Sequence, residues 1–173
     1  MNWTIDGIHS HIGFSVKHMM VATVRGQFKQ YRGTAAIDPT DFLRSQFAGE
    51  IDVASVDTGN EQRDGHLKSA DFFDVENNPK ITYKSTSVSV KGDEIVTVGD
   101  LTIGGHTAPI ELVWEFGGVA KDPWGNVKAG FEGTAVINRS DWGITWNAAL
   151  ETGGFLVSDK VTLELEISAI QTA

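Results

Sequence analysis

Residues 161–169 alternate without a break. Val161, Leu163, Leu165, Ile167 and Ala169 are apolar, and Thr162, Glu164, Glu166 and Ser168 between them are polar. Side chains of an extended strand point to opposite faces in turn, so the pattern dictates a strand with one face in a core and one in water. The same phase recurs earlier. Ile12, Phe14 and Val16 alternate with His11, Gly13, Ser15 and Lys17, and Ile110, Leu112, Trp114 and Phe116 alternate with Glu111, Val113 and Glu115. Residues 47–56, 81–90, 95–103 and 128–138 read as further strands. In the last of these Phe131, Gly133, Ala135 and Ile137 share a face, a mostly small set that leaves space beside it.

The punctuation agrees with this reading. Asp38-Pro39-Thr40-Asp41, Lys91-Gly92-Asp93-Glu94, Gly104-Gly105 and residues 121–126 carry turn chemistry, and Gly26 and Gly33 predict bends or bulges in the sparser stretch 21–37. Strands joined by hairpins, with 19 glycines against 4 prolines, predict an all-β chain. The expected form is an antiparallel meander of about eight strands, a closed barrel or a sandwich. A length of 173 residues fits one domain over the whole chain.

One stretch departs from the period. In residues 58–74, TGNEQRDGHLKSADFFD, Asn60 suits a helix N-cap, Glu61 suits the positive end of a helix, and Asp64 with Lys68 makes an i,i+4 pair. These features predict a short helix over 61–68, with Arg63, His66 and Leu67 on one face. Ser69 would cap a second turn containing Phe72 and Phe73. Two readings stand side by side. Phe72 and Phe73 close over an apolar cavity while Arg63, His66 or Lys68 meets the polar end of a ligand; or the stretch is a connector whose phenylalanines plug the core.

A formal net charge of -9 and a pI near 4.9 argue against a surface for nucleic acid or anionic membrane. The absence of cysteine removes disulfides, thiol nucleophiles and thiolate metal sites. Nothing near Met1 reads as a secretion signal, and no apolar run is long enough to span a bilayer, so a cytoplasmic location is expected. His9, His11 and His18 invite a metal reading, but no acidic residue completes a spacing such as HExxH. No GxSxG elbow or aligned Ser-His-Asp set suggests a catalytic nucleophile, and no catalytic residue is assigned.

Four ordered segments carry a resemblance. The first runs from Trp3 to Asp6 with His9-Ser10 and residues 14–19. The second comprises Thr58, Asn60, Arg63-Asp64, His66-Leu67, Ser69 and residues 71–74, then Pro79 and residues 81–85. The third is residues 99–103 with Gly105, Thr107 and Pro109, and the fourth is Arg139, Asp141 and Gly143-Ile144. Together they resemble the signature of the YceI-like family over nearly the whole chain. Trp142 stands where that family usually has Phe, and Gly104 where a basic residue is common.

The resemblance implies a lipocalin-like antiparallel barrel that binds a polyisoprenoid or related long-chain lipid, with no cofactor and with a homodimer as its assembly. It implies an open lumen along the inward set Phe14, Val16, Trp114, Phe116, Phe131, Leu163 and Leu165. Phe72, Phe73, Trp142 and Trp146 join that lining. For a polar headgroup, Arg63 ranks first because its planar fork suits phosphate or carboxylate, followed by His66, His18 and Lys68. The alternatives are a metal-dependent enzyme using His9, His11 and His18, and a structural barrel filled by its own side chains.

Overall fold

The computed structural model describes residues 1–38, 40–150 and 154–172. Its strands are β1 (Asn2–Ile5), β2 (His11–His18), β3 (Ala22–Phe28), β4 (Tyr31–Ala36), β5 (Gln46–Asp52), β6 (Val56–Asp57), β7 (Lys80–Lys91), β8 (Glu94–Ile103), β9 (His106–Lys121), β10 (Val127–Asn138) and β11 (Val157–Thr172). The α-helix of this region, α1, spans Glu61–Lys68. Every pairing is antiparallel. The order β1-β4-β5-β7-β8-β9-β10-β11 closes when β11 returns to β1, which makes a ring of eight strands.

The remaining strands lengthen that ring. One half of β11 pairs with β1, Ala169 opposite Ile5, and the other half with β2, Leu163 opposite Phe14. Thus β1 and β2 lie along one path interrupted at residues 6–10, β3 and β4 along the next, and β5 and β6 along a third. The break between β3 and β4 falls at Lys29-Gln30 rather than at Gly26 or Gly33. Beside it, β5 gives way to a single 3-10 turn, Val53–Ser55, within the stretch 47–56 that sequence reads as one strand. A single hydroxyl joins the two breaks: Ser55 Oγ accepts from the backbone N–H of Lys29 (3.1 Å) and Gln30 (3.0 Å) and donates to Asp52 O (2.6 Å). Pairing is thereby lost at one corner without stranding the backbone groups.

The expected glycine positions serve packing instead. A side chain at Gly26 would collide with the ring of Phe14 from the neighbouring strand, and Ile5 Cδ1 lies 2.5 Å from where a Cβ at Gly33 would sit. Hairpins form where the turn residues demand them. Gly104 and Gly105 both take positive φ, 57° and 79°, joining β8 to β9, a conformation that glycine adopts without steric cost. Of the expected turn at 38–41, Asp38 Oδ1 accepts from Thr40 and Asp41; Pro39 lies outside the described residues.

Two apolar clusters mark the ends of the barrel. One contains Phe28, Val53, Ile81, Trp142 and Ile144, with Leu67, Phe72 and Phe73 packed on it. The other gathers Trp3, Ala129 and Ala169 with Ala35 and Phe131.

Candidate functional site

The inward face of the ring does not fill its interior. An apolar cavity of about 320 Å³ is lined from β2 by Phe14 and Val16, from β9 by Trp114, from β10 by Phe131 and from β11 by Leu163 and Leu165. It includes members of both end clusters, among them Trp3 and Trp142, so it runs between them. Eight-stranded barrels are wide enough either to be filled by side chains or to hold one small ligand. Here glycine helps to set the wall: a Cβ at Gly133 would lie 2.7 Å from Trp114 Cε3, so the indole lies close against the neighbouring strand.

Helix α1 begins as its residue types require, with Asn60 Oδ1 accepting from Arg63 N at 3.0 Å. It delivers Leu67 to the cavity, and the turns after it deliver Phe72 and Phe73. Phe73 N donates to Leu67 O (2.9 Å), and its ring stands 5.9 Å from that of Phe28. Arg63, Asp64 and His66 bond within this segment. Arg63 donates from Nε to Thr58 Oγ1 (2.8 Å) and from Nη2 to Thr58 O (2.7 Å), while Asp64 Oδ1 accepts from Thr58 N and Oγ1. Asp64 therefore grips Thr58 rather than Lys68. His66 Nε2 meets Asp71 Oδ2 at 2.9 Å, with its ring edge-on to Phe72 and Trp146.

The residues expected at a ligand headgroup are not part of the apolar lining. Arg63, His66 and Lys68 lie on α1 outside the cavity lining, and His18 sits at the end of β2 opposite Val157 and Ala22. Two expected lumen residues are also displaced. Trp146 packs over His66 and Phe72, with centroids 4.8 and 5.3 Å away, as an outer layer on the plug. Phe116 keeps the phase of Trp114 but is 47% exposed. The last β8–β9 pair is Glu94 with Glu115, so Phe116 lies just past the point where β8 could cover it and packs against the ring of Phe131.

Several lining residues carry polar groups that sequence reading did not assign. Trp114 Nε1 donates to Thr97 Oγ1 at 3.0 Å, and Tyr83 Oη donates to the same oxygen at 3.1 Å. Burial pushes the Tyr83 phenol up, outweighing the Thr97 hydrogen bond, with Asp100 adding to the rise. Arg139 is buried, and its guanidinium donates to four backbone carbonyls: Ser158 (2.9 Å), Ile144 (2.9 Å), Trp146 (3.0 Å) and Val157 (3.2 Å). Burial lowers its pKa, with Asp159 opposing. It ties the chain after β10 to the start of β11. Arg32 and Glu50 also border the cavity, but their side chains pair with each other at 2.6 Å, with Arg32 largely exposed.

The histidines go separate ways. His9 Nδ1 lies 2.7 Å from Asp6 Oδ2, which also accepts from Lys128 Nζ at 3.0 Å. Burial works against the Asp6 charge, but the hydrogen bonds from His9, Lys128 and the Ile8 N–H prevail and lower its pKa to about 2. Among the described residues no three His, Cys, Asp or Glu gather as a metal site, and no helix is long and apolar enough to cross a membrane.

An eight-stranded antiparallel ring around an apolar lumen, plugged by one short helical insertion, defines a lipocalin-like barrel. The YceI-like domain matches residues 3–169, and the chain belongs to that family. A UPF0312 protein of Staphylococcus aureus strain MSSA476 is 43% identical over 164 residues, 94% of each chain. The solved YceI protein of Campylobacter jejuni is 32% identical and covers 91% of this chain and 90% of its own, with a TM-score of 0.74. A polyisoprenoid binding domain from Saccharophagus degradans shares the fold at 15% identity, covering 98% of both chains with a TM-score of 0.69.

Proposed function

We propose that this chain is a binding protein rather than an enzyme, and that its lumen takes up one long-chain amphiphilic lipid, a polyisoprenoid by preference, to store, carry or shield it. The observation that carries the reading is the cavity itself: elongated, walled mostly by Phe, Leu, Ile, Val and Trp side chains, and running between the two end clusters. An apolar chain gains about 0.8 kcal/mol for each CH₂ it buries, so a wall of this kind supplies affinity without a charged contact. The polyisoprenoid preference is supported by the family and by the binding partner of the Saccharophagus domain. A cytoplasmic location and a homodimer belong to the same reading and rest on the sequence expectations alone.

The test is mass spectrometry of an organic extract of the purified protein. The expected result is a co-purifying isoprenoid at near-stoichiometric amount, or its uptake when a polyprenol is added. An empty extract together with no uptake would overturn the reading.

A further inference from the structure

The turn between β2 and β3 breaks a rule that later hairpins follow. Val21 N donates to His18 O (3.3 Å), and both residues between them, Met19 and Met20, take positive φ, 53° and 62°. In the turns after β7, β8 and β9 glycine fills the positive-φ positions, at Gly92, Gly104, Gly105 and Gly125, because a Cβ makes that conformation costly. Here two long apolar side chains stand there and gain little burial in return. Met19 is 50% exposed, Met20 66% and the next residue, Val21, 82%. Met19 N also donates to Leu156 O (2.7 Å), which brings Phe155, 61% exposed, to the same tip.

The tip stands at one end of the lumen. Val157, beside Leu156, pairs with His18 and lines the cavity. Arg139 donates to Val157 O and to Ile144 O, and Ile144 belongs to the cluster on which Leu67, Phe72 and Phe73 pack. The apolar tip and the helical plug therefore share an end of the barrel.

Behind the tip the charge changes sign. The whole chain carries -9, yet Lys17, Arg25 and Lys160 are exposed on the strands that lead to the tip. Lys17 Nζ donates to the neutral Thr23 Oγ1 (2.8 Å), and among the described residues none of the three cations has a carboxylate partner. The neighbouring Asp159 accepts from Ser140 N and Oγ instead. Lys17 lies two residues behind Met19, and Lys160 adjoins Val161, which pairs with Val16. Two residues of strand span about 7 Å, close to the roughly 5–7 Å of headgroup layer on each side of a bilayer. A tip seated at the acyl boundary holds both lysines among the phosphates, where long cationic side chains are favoured. A protein partner fits less well, since four side chains on one turn fall short of the roughly 800 Å² that each side gives to a stable interface.

We propose that this tip docks on a phospholipid bilayer, with Met19, Met20, Val21 and Phe155 at the headgroup–acyl boundary and Lys17 and Lys160 on anionic headgroups, so that the plugged end of the lumen faces the membrane. Docking stands on the tip alone; the exchange of a guest with that membrane rests on the lipid-binding reading above.

Vesicle flotation tests the docking, with phosphatidylcholine alone and with an equal mixture of phosphatidylcholine and phosphatidylglycerol. Met19→Asn combined with Met20→Gly suits the positive φ of both positions and so keeps the fold; it should weaken partitioning to both vesicles about tenfold. Lys17→Gln should weaken it about fivefold on the mixed vesicles only. Trp124→Ser, at an exposed turn near the opposite cluster, should leave it unchanged. Polyprenol uptake is followed in parallel, and the double variant should match the wild type when cyclodextrin delivers the lipid and lag behind it when vesicles do. No vesicle binding by the wild type, or binding that the double variant keeps, would overturn the inference, and normal uptake from cyclodextrin would then leave the lipid-binding reading standing. Vesicle binding lost in the double variant, with no uptake from either source, would overturn that reading and leave the docking. A wild-type dimer in sedimentation that the double variant converts to monomer, without vesicle binding, would assign the tip to a second copy and overturn the inference.

Discussion

Trp114 lies against Gly133 so closely that a Cβ on the glycine would sit 2.7 Å from Trp114 Cε3. The two face each other across β9 and β10, and the glycine lets the indole lie close to the wall with its N–H on Thr97. Gly133→Ala should displace the ring, at a cost of roughly 1–3 kcal/mol for overpacking, and should weaken lipid retention. Thermal melts check the first expectation. An unchanged melting temperature would mean that the ring has room the structure does not show.

Arg139 invites a contrast with Arg32. Arg139→Leu strands four carbonyls that the guanidinium satisfies, one at a buried and three at half-buried contacts, and leaves a gap where a buried side chain packed, so it should cost more than about 3 kcal/mol. The exposed Arg32–Glu50 pair should contribute under about 1 kcal/mol. Urea unfolding of Arg139→Leu and Arg32→Ala reads both, and comparable losses would contradict the assignment.

Arg63 tests where the insertion's charge acts. Its guanidinium donates twice to Thr58, so Arg63→Leu should loosen the plug and weaken a phosphorylated polyprenol and the matching free alcohol to the same extent. Selective loss of the phosphorylated ligand would place Arg63 at the headgroup instead.

Asp6 sets a pH dependence. Its folded pKa, about 2, lies below the ordinary aspartate value near 3.9, so the folded state releases this proton more readily than the unfolded chain. The stabilisation is therefore complete above about pH 4 and is lost as pH falls toward 2. Asp6→Asn should remove about 1–2 kcal/mol at neutral pH, and the gap between the two proteins should close in acid. A gap that stays constant from pH 6 to about pH 2 would contradict this sign.

Much of the barrel was legible because alternation is a local property. The phase of residues 161–169 places Leu163 and Leu165 inward, and the cap at Asn60 places α1. What escaped depends on neighbours distant in sequence. The break at Lys29-Gln30 is held by Ser55, and strand phase told which way Phe116 points but not that β8 ends before it. Trp146 has no period to follow at all. The polar set at 63–68 was legible as chemistry, but whether Arg63 faced a ligand or Thr58 depended on how the segment folded back.

The most direct measurement fills the lumen. Leu163 faces the cavity, whereas Glu164, its neighbour on β11, is exposed. Titration of a polyprenol into Leu163→Trp and Glu164→Trp, both verified as folded by circular dichroism, separates a ligand inside from one on the surface. The account predicts that Glu164→Trp binds like the wild type and that Leu163→Trp loses binding. Undiminished binding by Leu163→Trp would contradict a ligand held in the barrel.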